Sequence, residues 1–316
     1  PLLVGRPLSP LGAQGPRGER SAEALSRTAD AALGQAPPLF SATTELVVMN
    51  VIVRDDRGGY VEGLPRDAFR LFEDGRRTAI GLFTHQDVPV TMGLVIDGSG
   101  SMQAARHRLA YAIARFARAG HPEDELFALV VGDRVTAVLP PERPFTNDPT
   151  VLQTAIQHAL RSRGRTALWD GIAAGLEYLD RGTHARRALV VMSDGGDNAS
   201  ITAFDEVLRR AQASHAAVYT VGLIDPISLD RRPKTLTRLA RESGGDAYFP
   251  ESYQAAFEAL GQVAREIRSA YTIGFPVTAA SGDRAYHRLR VEVESEGHRR
   301  LQVRTRAGYL GGEPRR

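Results

Sequence analysis

The 316-residue chain carries 40 Lys and Arg against 37 Asp and Glu, a formal net charge of +3, with arginines scattered rather than gathered into a basic run with interleaved aromatics; this argues against nucleic acid as a partner. It has no cysteine, which excludes a disulfide scaffold, a thiolate metal site and a cysteine nucleophile. At 42% hydrophobic and 24% charged, and with no apolar run near the ~20 residues of a membrane helix, it reads as a globular chain without a membrane span.

Residues 1–38 are rich in Pro, Gly, Ala, Arg and Ser and carry no apolar stripe, so a disordered leader is expected. The sequence begins at Pro1 rather than Met, which leaves its native start open. Leu46–Val53 then reads as a strand and Asp55–Gly59 as a turn. Phe69–Glu73 alternates and runs into Asp74-Gly75, a two-residue hairpin signal, with Arg77–Thr84 as the single return strand.

From Val90 to about Arg268 strand and helix patterns alternate, the signature of a parallel sheet with helices on both faces. The expected strands are Thr91–Ile96, Leu126–Val131, Arg134–Leu139, Ala188–Met192, Ala217–Leu223 and Asp246–Phe249. Arg134–Leu139 follows its predecessor so closely that it must return antiparallel, as an edge hairpin. The expected helices are Gln103–Ala119, Asp148–Leu160, Leu168–Leu179, Ala203–Ser214, Lys234–Ser243 and Tyr253–Arg268.

After Arg268 the pattern returns to β, with strands over Tyr271–Phe275, His287–Glu294 and Arg300–Arg306 and a turn at Ser295–His298. Neither flanking β segment has enough strands to stand alone, so the two are expected to pair. The fold class is then α/β: a doubly wound, mostly parallel sheet, with a small antiparallel β-sandwich built from the N- and C-terminal flanks. The division is a leader (1–38), a first sandwich segment (39–89), the α/β domain (90–268), a second sandwich segment (269–310) and a tail (311–316).

The apolar run Thr91–Ile96 drives into Asp97-Gly98-Ser99-Gly100-Ser101-Met102. An acid and two hydroxyls thus alternate on a turn between a buried strand and a helix, where open α/β sheets place their ligands. Oxygen ligands alone suit a hard cation such as Mg2+. Taken singly, Asp97-Gly98-Ser99 is also an ordinary polar turn capping the next helix.

The pattern Asp-x-Ser-x-Ser-Met resembles the metal-ion-dependent adhesion site of von Willebrand factor type A domains. In that family a Thr and a second Asp from later loops complete the site. Gly164-Arg165-Thr166-Ala167-Leu168-Trp169-Asp170 looks like the Thr loop, and Leu189–Gly195 looks like the second strand-to-acid turn. The resemblance therefore implies a metal shell of Asp97, Ser99, Ser101, Thr166 and Asp194, binding Mg2+ or Mn2+. Val53–Asp55, Gly63-Leu64, Asp67–Phe69 and Phe72–Gly75, with Tyr271–Phe275 and Arg304–Tyr309, resemble the flanks of a bacterial, acidobacterial-type group of these proteins.

What the resemblance implies is a protein-binding or adhesion module that captures an acidic side chain of a partner protein and performs no catalysis. A secreted or periplasmic location goes with it, with a cytoplasmic one as the alternative. Two other functions stand beside it: a structural or envelope-assembly protein whose metal braces loops, and a metal-assisted hydrolase. The chain has no Walker loop, no HExxH and no GxSxG, and the GxGxxG-like string from Gly98 fails at Gln103. A haloacid dehalogenase-type phosphatase would need an Asp where Ser99 stands. Trp169 is expected to pack rather than bind, and Asp197–Ser200 to cap the helix from Ala203. In the family the final helix slides when the site is filled. Here Tyr253–Arg268 leads straight into a sandwich strand, so it either transmits such a shift or is locked by the tether.

Overall fold

A computed structural model describes residues 44–85, 87–98, 106–160, 164–222, 232–278, 285–295 and 300–311. The expected leader, the turn at 296–298 and residues 312–316 of the tail lie outside them. The described chain opens with strand β1 (Thr44–Arg54), followed by β2 (Phe69–Glu73), β3 (Arg76–Thr78) and β4 (Leu82–Thr84). β2 and β3 close over Asp74 and Gly75, at φ 47° and 79°. Two consecutive positive φ angles are what a two-residue hairpin matched to strand twist requires. The single return strand expected over Arg77–Thr84 is instead two strands in different sheets: β3 pairs with β2, whereas β4 pairs with a strand from the far end of the chain. The break falls at Ile80, which is buried in the sandwich core.

The middle of the chain supplies β5 (Val90–Asp97), α1 (Arg106–Arg118), β6 (Glu125–Val131), β7 (Val135–Ala137), α2 (Pro149–Ala159), α3 (Leu168–Leu179), β8 (Arg186–Met192), α4 (Phe204–Ala213), β9 (Ala217–Val221), α5 (Pro233–Ser243), β10 (Ala247–Tyr248) and α6 (Tyr253–Arg268). The strands form one six-stranded sheet in the order β10-β9-β8-β5-β6-β7, parallel except for the edge hairpin β6–β7. β5 is buried along its whole length, as a central parallel strand covered on both faces must be. Met92, Leu94 and Ile96 pack with α1, α2 and α6. Val95 faces the other way, into a core shared with α3, α4 and α5. Among the described residues no helix is long and apolar enough to cross a membrane.

The C-terminal flank contributes β11 (Tyr271–Thr278), β12 (Tyr286–Val293), β13 (Gln302–Arg304) and β14 (Gly308–Leu310). The last strand was not expected. The two flanks interleave into antiparallel sheets, β13-β1-β11-β4 and β14-β12-β2-β3. β1 and β11 pair from Thr44↔Thr278 to Val51↔Tyr271, and β12 pairs with β2. The two sheets share a core of Val47, Met49, Phe69, Leu71, Ile273 and Phe275 with their neighbours. The expected α/β sheet beside an antiparallel sandwich is therefore the architecture observed.

At the edge of the parallel sheet away from the strand C-termini, Glu125 opens β6. It accepts hydrogen bonds from Thr91 Oγ1 (2.6 Å), Thr183 N (2.8 Å) and Thr183 Oγ1 (2.8 Å). Burial pushes its carboxyl upward, but these bonds outweigh it and hold the pKa below the ordinary glutamate value. A depressed folded-state pKa gives stability that is complete above the unfolded value and is lost as pH falls through the folded one. Glu125→Gln should lose on the order of 1 kcal/mol at neutral pH, with a shallower decline on acidification. Urea melts between pH 7 and 3 test this, and parallel stability curves for the two proteins would refute it.

Candidate metal centre

The sheet order places β5 at the point where the chain's direction of winding reverses: β6 and β7 lie on one side, and β8, β9 and β10 on the other. The crevice beyond the strand C-termini at such a point is the usual ligand position in open α/β sheets. Asp97 is the last residue of β5 and is 2% exposed. Asp194 follows the end of β8 by two residues. Thr166, also buried, lies in the loop leading into α3. Ser99 and Ser101 lie outside the described residues.

Backbone bonds draw the three loops together. Gly98 N donates to Val131 O (2.7 Å) and Ala167 N to Gly132 O (2.9 Å), so the loops carrying Asp97 and Thr166 fasten to consecutive residues at the end of β6. Asn198 N and Ala199 N donate to Thr166 O, at 3.0 and 3.1 Å, and Thr166 N donates to Asn198 Oδ1 at 2.8 Å. The loop that Asp194 opens is thereby bonded to Thr166. Gly195, at φ 85°, makes the tight turn after Asp194 and lets Gly196 N reach back to Asp194 Oδ1 (2.8 Å).

Sequence reasoning missed Ser193. Its fully buried hydroxyl donates to Asp97 Oδ2 (2.8 Å) and accepts from Gly195 N (3.0 Å), so it orients the central carboxylate and ties it to the Asp194 turn. The register Ile96↔Met192 sets the two residues side by side. Its only signal in the sequence is its place next to Asp194.

The Asp197–Ser200 stretch does something other than expected. The N-cap of α4 is Ala203, with no side-chain bond. Asp197 Oδ1 instead accepts from Leu168 N (2.8 Å) and Trp169 N (3.4 Å), capping α3 from a different loop. α3 needs this because its own N-cap position is Ala167, which offers no side-chain oxygen. In return Asp170, in the first turn of α3, accepts from Ile201 N (3.0 Å) and Thr202 N (2.8 Å). Burial pushes the Asp170 carboxyl up, but these bonds prevail and its pKa is lowered. Trp169 is buried and packs edge-on against Phe204 at 5.2 Å, a packing residue as expected.

Asp97, Thr166 and Asp194 offer only oxygen, the donor chemistry of a hard cation. Among the described residues no group of three or more His, Cys, Asp or Glu side chains could hold a metal ion.

Comparison with known proteins agrees with this topology. No curated protein sequence gives a significant match. Among solved structures, proximal thread matrix protein 1 from the mussel byssus is 12% identical, with a TM-score of 0.51 over 62% of this chain and 51% of that one. A structure of the same protein with a zinc-occupied MIDAS motif gives 13% identity and a TM-score of 0.50, over 62% and 49%. A von Willebrand factor type A protein from Catenulispora acidiphila gives 13% and 0.48, over 87% and 76%. The chain spans about half the length of the mussel protein, and at 12% identity the likeness to it is one of fold. The model of the von Willebrand factor type A domain matches residues 92–264, more than half of the chain, and the protein belongs to that family.

Proposed function

We propose that this protein is a divalent-cation-dependent protein-binding module. In this reading Asp97, Ser99, Ser101, Thr166 and Asp194 hold Mg2+ or Mn2+ and the module takes an acidic side chain of a partner protein. The observation that carries it is the position of Asp97, a residue 2% exposed at the end of the central strand, with the Thr166 and Asp194 loops bonded around it. The two aspartates balance the charge of one divalent ion, and the hydroxyls add neutral ligands. A bound ion with an open position supplies an electrophilic seat for a carboxylate. The zinc-occupied motif of the mussel protein supports the reading by analogy. The same proposal includes the absence of catalysis, a secreted or periplasmic location, and the division into a leader (1–38), sandwich segments (39–89 and 269–310), a type A domain (90–268) and a tail (311–316).

Calorimetry tests it. An ion bound only by the folded state stabilises by mass action, about 2.7 kcal/mol at a hundredfold excess over Kd. Mg2+ or Mn2+ should therefore raise the Tm of the chelator-treated protein by several degrees. Asp97→Ala should keep its circular dichroism spectrum and lose the response. The same metal response in wild type and variant would remove Asp97 from the site.

A further inference from the structure

We infer that Ile201 is an apolar contact point on the rim of the metal site, so that the preferred partner presents an acidic residue with an apolar neighbour. This rests on the reading of the site as a metal-dependent binding surface. Ile201 is 97% exposed; the next most exposed large hydrophobic among the described residues, Tyr111, is at 54%. Single apolar residues on a surface are common. Two features set this one apart.

The first is that its backbone is held on both sides. Ile201 N and Thr202 N donate to the two carboxylate oxygens of Asp170. Ser200 Oγ, just before, donates to Asp197 Oδ1 (2.5 Å) and accepts from Asp170 N (3.1 Å). The side chain is thus presented by a fixed turn, and a β-branched residue is itself stiff at χ1. An apolar group ordered before binding loses little freedom on docking.

The second is that the same bonded unit carries Thr166. Asn198, in the middle of this turn, bonds the Thr166 backbone in both directions, and Asp197 caps the helix that Thr166 leads into. The loop of a proposed metal ligand and the turn of a fully exposed isoleucine are therefore joined by hydrogen bonds. A carboxylate seated on the ion brings its flanking residues over this rim, and an apolar flank would cover Ile201.

The test uses the full chain and an array of synthetic peptides centred on Asp or Glu, with the flanking positions set to Leu, Phe or Ser, read with Mg2+ and with chelator. Wild type should bind in Mg2+ and prefer the Leu and Phe flanks over Ser by about tenfold, the effect of burying one aliphatic side chain. Ile201→Ser should keep Mg2+-dependent binding and lose the preference. Mg2+-dependent binding with the same flank ranking in wild type and Ile201→Ser would overturn the role of Ile201 and leave the metal site standing. No Mg2+-dependent binding by any peptide would overturn the site reading and this inference with it.

Discussion

Replacing Arg186 with Ala should destabilise the fold by about 3–5 kcal/mol, one of the largest effects a single side chain here can have. Arg186 opens β8 and is 1% exposed. Its guanidinium pairs with the end of α6 and the joint beyond it. Nε donates to Thr272 Oγ1 (3.1 Å), Nη1 to Ile267 O (3.2 Å) and Arg268 O (3.5 Å), and Nη2 to Ala270 O (2.8 Å). Ile267 O and Arg268 O are carbonyls that a helix leaves without partners at its C-terminus, and a cation there also meets the negative end of the dipole. Burial, helped by the nearby charge of Arg268, lowers the Arg186 pKa to about 10. It stays protonated at neutral pH, and all its donors remain available. Truncation leaves buried acceptors without donors and a cavity as well. Arg186→Lys keeps the charge but not the planar fork, and should recover only part of the loss. Urea denaturation gives both values. A loss below about 1 kcal/mol for Arg186→Ala would mean that the joint is satisfied without it.

Glu266→Ala should cost about 3 kcal/mol, the low end for breaking a buried ion pair. Glu266 lies on α6 with its side chain fully buried, and it joins three elements. Arg54 on β1 approaches to 3.3 Å, Arg304 on β13 is in ion-pair contact, and Tyr248 on β10 donates its hydroxyl at 2.8 Å. The two arginines keep 23% and 26% of their side chains exposed, so water softens their loss of a partner. Glu266→Gln keeps a hydrogen-bond acceptor for Tyr248 and should lose less. Equal stability of Glu266→Ala and wild type would sink the assignment.

The same contacts bear on the two fates of the final helix. Beyond Glu266, Arg268 donates to Asp87 Oδ1 (3.2 Å) and Val88 O (3.1 Å) and pairs with the buried Asp124. Ser269 Oγ donates to Glu62 Oε1 (2.5 Å), and Tyr271 OH to Val61 O (2.8 Å). Asp87 and Val88 lie on the segment entering β5, so Arg268 staples the entry to the α/β sheet to its exit. Sliding α6 by a turn would break the bonds of Glu266 and Arg268 at once, and a ligand can shift an equilibrium only by its differential affinity for the two states. The expected result is a rigid binder. Mg2+ and an acidic peptide should change hydrogen exchange at the loops of Asp97, Thr166 and Asp194 and leave Tyr253–Phe275 unchanged. Altered protection across Tyr253–Phe275 would show that the clamp yields.

Much of this protein follows from local pattern. Apolar runs of strand length alternating with helical periodicity define the parallel sheet. The abrupt change from Thr91–Ile96 to an acid and hydroxyls marks where β5 ends. Burial of a whole strand requires that kind of run, and it can be read within eight residues. Asp74-Gly75 likewise announced its hairpin, because the demand for positive φ is met within two residues.

What escaped the sequence was decided by contacts between distant segments. Nothing local marks Ile80 as the place where one extended stretch changes sheets, since each half obtains its partner from elsewhere, β4 from β11 and β3 from β2. Asp197 and Asp170 cap each other's loops from some thirty residues away, so cap residues pointed to the wrong helix. Arg186 and Glu266 are charged residues of a kind that sequence places at the surface. Only the folded chain surrounds one with the orphan carbonyls of a helix end and the other with two arginines and a tyrosine. The sequence by itself determined most strands and helices of the parallel sheet and the place where β5 ends, because backbone preference and burial pattern act over a few residues. The tertiary structure decided how those loops are held, because hydrogen-bond satisfaction of buried groups is settled by whichever partner the fold brings near.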